Sequence, residues 1–80
     1  MVWFDFFWTA EIIAHIEEHG LTVQEVEYIV EHPEERETIR TSDNLVAKGY
    51  CYNGKYIVVI YDMIDNVTIL PVTAFIPGQD

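Results

Sequence analysis

Two periods of hydrophobicity divide the chain. Up to His32 the apolar residues recur at helical spacing, and from Glu37 onward they alternate with polar ones. The first helix is predicted to begin at Thr9, an acceptable N-cap, and to stop at Gly20, which suits a left-handed C′ position. On a helical wheel Trp8, Ile12, Ile13 and Ile16 share one face, while Glu11, Glu17 and Glu18 lie off it. The second helix opens on a capping box, Thr22-Val23-Gln24-Glu25, with Leu21 placed to staple against Val26. Val23, Val26, Ile29 and Val30 continue at helical spacing to His32, where Pro33 enforces a stop.

The second half reads as a meander. ETIRTS, residues 37 to 42, predicts a short strand and Ser42-Asp43-Asn44 a turn. Leu45 to Tyr52 follows, with Leu45, Ala47, Gly49 and Cys51 on one side and Val46, Lys48, Tyr50 and Tyr52 on the other. Asn53-Gly54 predicts a type I′ hairpin turn into Tyr56 to Tyr61, a strand apolar on both faces that should be central and covered on both sides, or paired in an oligomer. A turn at Asp65-Asn66 leads to Val67 to Ile76, in which Pro71 marks an edge strand or a bulge. The expected architecture is α+β over residues 1–80 as one domain: a two-layer sandwich of two N-terminal helices on an antiparallel sheet of three to four strands. Val2 to Phe7 is available as an additional strand at the front.

Composition narrows the class. Eleven aromatic residues supply apolar area to an 80-residue chain, and the single cysteine, Cys51, excludes an internal disulfide, which fits a reducing cytoplasm. The apolar runs VWF and YIVVIY are far too short to span a bilayer, and the first ten residues lack a basic signal-peptide start. Net charge is −10. Residues 1–35 hold nine carboxylates and no Lys or Arg, whereas residues 36–55 hold all four cations, Arg36, Arg40, Lys48 and Lys55, against Glu37 and Asp43. That distribution disfavours non-specific nucleic-acid binding, since only a small local patch opposes the acidic field.

Few residues suggest chemistry. Glu11, His15 and His19 are spaced four apart on one helix flank, a pattern open to metal ligation, but His19 falls in the apolar arc and the last helical turn favours a histidine. Packing and capping are the preferred reading, and no metal or cofactor is assigned. His32, at the end of the second helix, has the titration range of a general acid or base but is read as a helix-end residue too. The carboxylates at 17, 18, 25, 27, 31, 34 and 35 read as a solvated face. Cys51 reads as a small core residue, and Ser42 lacks the strand-turn-helix setting of a nucleophile. Lys48 with Tyr50 and Tyr52 could stack bases and neutralise phosphates, although aromatic cross-strand pairs commonly serve only to stabilise sheets.

The segments WTAEIIAHIEEHGLTVQEVE (8–27), KGYCYNGKYIVVIYD (48–62) and VTILPVTAF (67–75) resemble, in that order, BrnT-type toxins and related small bacterial proteins of the RelE/ParE superfamily. The resemblance implies a two-layer sandwich. It also implies ribonuclease chemistry in active members, with sheet arginines and lysines polarising the scissile phosphate, and neutralisation by an antitoxin that covers the sheet. Carried onto this chain, the candidate catalytic residues are Arg40, Lys48, Lys55 and Tyr50. At Ala74-Phe75, however, Phe stands where the pattern has Arg. The resulting expectation is a cytoplasmic protein-interaction module, the toxin-like half of a toxin–antitoxin pair with weak or no catalysis. Its partner would be a protein such as an antitoxin, or a second copy, because exposed tyrosines and Phe75 leave apolar surface to cover. The alternative is an endoribonuclease, for which RNA would be the substrate.

Overall fold

The structure, a computed structural model, describes residues 4–38 and 44–78. The elements run β1 (Asp5–Phe6), α1 (Ala10–Glu18), α2 (Val23–Glu31), β2 (Glu35–Thr38), β3 (Leu45–Tyr50), β4 (Tyr56–Met63) and β5 (Thr68–Phe75). The strands form one sheet in the order β1-β5-β4-β3-β2. The fold is α+β, with two helices and a five-stranded sheet rather than one of three to four strands. The sheet is mixed, because β1 lies parallel to β5 while all other pairs are antiparallel. Asp5 and Phe7 donate their backbone N–H groups to the carbonyls of Val67 and Ile69, at 2.8 Å each. The anticipated front strand thus exists over Asp5–Phe6; its Val2-Trp3 start lies outside the described residues, as do the 39–42 end of the ETIRTS strand and most of the Ser42-Asp43-Asn44 turn.

Local rules explain the helix limits. The Thr9 hydroxyl caps α1 by accepting from the Ile12 N–H, and His19 occupies the C-cap before Gly20, whose φ is +77°. At α2 both arms of the capping box form: Thr22 Oγ1 accepts from the Glu25 N–H, and Glu25 Oε1 accepts from the Thr22 N–H. Leu21 and Val26 are both buried in the same cluster, as the staple requires.

Both helices pack on one sheet face. Ile16 of α1, Leu21, and Val26, Ile29 and Val30 of α2 join Ala47, Cys51, Ile57, Val59, Tyr61, Ile69 and Ala74 in one core, with Trp8 and Ile12 packed against it. Burying each of the larger aliphatic side chains stabilises the fold by roughly 1.5–3 kcal/mol. Ile13 is half-buried outside this cluster, and His19, expected in the apolar arc, is exposed: α1 ends at Glu18, so the C-cap backbone carries His19 off the wheel.

β4 is central, as its two apolar faces predict. Pro71 pairs with Tyr61 at a register shift that leaves Val72 as the extra residue, and it lies beyond the two-residue reach of β1. The hairpin between β3 and β4 departs from type I′. Cys51 and Lys55 face each other, the Gly54 N–H donates to the Cys51 carbonyl, and among the described residues positive φ occurs only at glycines, Gly54 included at +90°. Asn53 therefore cannot supply the second positive φ of a type I′ turn. The connection is a three-residue loop, a type I turn closed by a left-handed glycine.

Candidate functional site

Strand register sorts the remaining side chains onto the sheet face opposite the helices. Glu35, Lys48, Val58 and Phe75 are aligned across four strands, Glu37, Val46, Ile60 and Thr73 form a second row, and Tyr50 pairs with Tyr56 and Asp62 with Leu70. Val46 and Val58 are buried but stand outside the helix-side core; each lies between longer neighbours in its row. Ile60, Leu70, Phe75 and Tyr56 are half-buried, and Tyr50 is 58% exposed. The buried apolar helix residues all belong to the core on the other face, and α1 meets this one at the β5 rim, where His15 Nε2 lies 2.9 Å from Thr73 Oγ1. The Tyr50 and Tyr56 rings meet edge to face at 4.9 Å, so the aromatic end of the patch is pre-packed.

The sequence-derived candidates do not converge. Lys48 and Tyr50 are on the open face, with Lys48 Nζ 3.1 Å from Glu37 Oε2. The hydrogen bond to Glu37 raises the Lys48 pKa above its ordinary value against a smaller opposing effect of desolvation, with the charges of Glu37 and Glu35 adding to it. Lys55 is elsewhere: its ammonium bridges Glu25 Oε2 at 3.0 Å and the Gly20 carbonyl at 2.9 Å, holding the β3–β4 loop against the connection between the helices. Arg40 lies outside the described residues. Tyr52, expected on the Lys48 face, follows the end of β3 and packs edge-on against Tyr28 of α2 at 5.3 Å.

One group that sequence reasoning misplaced organises the loop. Glu25, assigned to the solvated face, is only 2% exposed. Burial by itself would raise its pKa, but hydrogen bonds from Asn53, Lys55 and the Thr22 backbone, with the Lys55 charge, hold it below the ordinary value. The capping-box motif signals that Glu25 turns back on its own helix; nothing in the sequence signals Asn53 and Lys55 as its partners. Two other glutamates also have structural partners: Glu27 accepts from the Trp8 indole at 2.8 Å and Glu34 from the Tyr50 N–H at 2.7 Å.

The three histidines each meet a hydroxyl or a ring. His15 Nε2 lies 2.9 Å from Thr73 Oγ1, its ring meets His19 edge-on at 5.0 Å, and the His32 ring lies tilted by 45° against Tyr28 at 4.8 Å. Among the described residues no three His, Cys, Asp or Glu side chains come together as a metal site. Cys51 is a free, buried thiol in the core. A cleft of about 260 Å³ is lined by Arg36, Glu37, Leu45 and Tyr61. The Arg36 guanidinium beside it donates to the Val30 carbonyl at the end of α2, 3.2 Å away. No helix among the described residues is long and apolar enough to cross a membrane. Comparison with protein-family models, with curated proteins and with solved structures found no match to this chain.

Proposed function

We propose that this protein is a cytoplasmic protein-interaction module that docks a protein partner on the open face of its sheet. The observation that carries the reading is a group of half-buried apolar side chains, Ile60, Leu70 and Phe75, beside the buried Val46 and Val58 on the sheet face opposite the helix-side core. Apolar side chains gathered on the sheet face opposite the core suit a docking surface. Two helices on one face of the sheet suit a two-layer sandwich of the BrnT/RelE type. Under that resemblance the chain is the toxin-like half of a toxin–antitoxin pair, with weak or no catalysis.

The engagement of the described cations supports the non-catalytic form. Lys55 is held by Glu25, Lys48 by Glu37, and Arg36 donates to a main-chain carbonyl. Phosphoryl transfer needs free positive charge aimed at the developing anion. The test is induced expression of the chain in a bacterial host, beside a Lys48→Ala/Arg40→Ala variant, with total RNA followed in both. Normal growth with intact mRNA is expected, together with binding of the product of an adjacent reading frame that Ile60→Asp or Phe75→Asp abolishes. Growth arrest with mRNA cleavage that the double variant loses would overturn the reading in favour of an endoribonuclease.

A further inference from the structure

We infer that the occupant of the open sheet face is a basic amphipathic helix of a partner protein, an inference that rests on the docking reading above. Charge decides against the other occupants. The chain carries 14 carboxylates against four cations, and its open face is edged by Glu35 and Glu37 on β2 and by Asp62 on β4. Lys48, the cation of that face among the described residues, is already paired with Glu37. A phosphate backbone approaching this surface meets a net repulsive field, and a second copy carries another net charge of −10. A cationic partner gains on both counts.

Shape favours a helix. The half-buried side chains Phe75, Ile60 and Leu70, beside the buried Val46 and Val58, come from three adjacent strands rather than from one exposed edge, so they suit a surface contact and not a strand-addition site. A helix laid across them can place side chains at i, i+3, i+4 and i+7 on this strip, as helix-in-groove recognition requires, while its Lys and Arg flanks reach Glu35, Glu37 and Asp62. The opposite face already takes two helices through its own aliphatic residues. A bound helix would complete a sheet covered on both sides.

The experiment is an NMR titration of the whole chain with three probes: a Leu/Lys amphipathic peptide of roughly 18 residues, its Leu/Glu counterpart, and a single-stranded RNA oligonucleotide. The expected result is that only the Leu/Lys peptide shifts the amides of Val46, Val58, Ile60, Leu70 and Phe75. Its affinity should fall at least about tenfold between about 0.1 M and about 1 M salt, and fall again in a Glu35→Gln/Asp62→Asn variant whose spectrum shows it folded. Equal shifts of those amides by the Leu/Glu peptide, by RNA, or by self-association of the free chain would overturn the cationic-helix inference while leaving the docking face intact. Shifts confined to the outer carboxylates of the helices, such as Glu17, Glu18 and Glu31, with the sheet amides unmoved by any probe, would overturn both.

Discussion

Glu25 divides its work between its two oxygens. Oε1 closes the capping box on Thr22, and Oε2 receives Asn53 and Lys55 from the β3–β4 loop. Deleting the carboxylate removes a cap and a charged hydrogen-bond acceptor together. Glu25→Ala is therefore expected to lower unfolding free energy by about 2–4 kcal/mol in denaturant titration. The same group sets a pH dependence. Its folded pKa lies below the unfolded value of about 4.3, so its stabilisation is complete above that pH and is lost as pH falls through the folded value. The stability difference between wild type and Glu25→Gln should accordingly shrink on acidification below about pH 4; a difference that holds constant to the acid limit would mean that Glu25 titrates as it does in the unfolded chain.

At the scale of elements, the positions legible in the sequence are those fixed by near neighbours along the chain. Thr9, the Thr22–Glu25 box and Pro33 set the helix limits from within a turn or so, and the alternation of β4 announces its central place. What escaped depends on contacts distant in sequence. Asn53 is drawn to Glu25, 28 residues away, and the three-residue loop follows from the Cys51–Lys55 pairing rather than from the Asn-Gly dipeptide. The parallel docking of β1 on β5 joins opposite ends of the chain, and no local pattern encodes it. Two glycines test the loop and its flank. Gly54→Ala forces a left-handed alanine and should cost about 1 kcal/mol. At Gly49 a Cβ would stand 3.1 Å from the Glu34 backbone nitrogen, so Gly49→Ala must push β2 from β3. Faster hydrogen exchange in β2 than in β4 on making Gly49→Ala is the expected signature, and uniform acceleration across the sheet would instead indicate global destabilisation.

The whole molecule sets the half-buried apolar side chains of one sheet face against a large negative charge, and these act in opposite directions on self-association. At neutral pH the charge of −10 on each copy opposes pairing through Val58, Ile60 and Phe75. The candidate site was legible in the sequence only in part for the same reason: Lys48 and Tyr50 read as a basic and aromatic cluster, but only the register shows Glu35 and Glu37 beside Lys48 and turns the patch acidic at its edge. If repulsion keeps the chain monomeric, removing it should release the apolar attraction. Light scattering should find monomers at neutral pH and low salt, and association as the pH approaches the sequence pI of 4.4 or as salt rises to about 1 M, where the Debye length is about 3 Å. Ile60→Ser/Phe75→Ser should suppress that association without altering the charge. Association that persists unchanged in the double variant would place the self-contact elsewhere, with Phe7, Ile64 and Val67, exposed at and beside the β4–β5 turn, as the next surface to substitute.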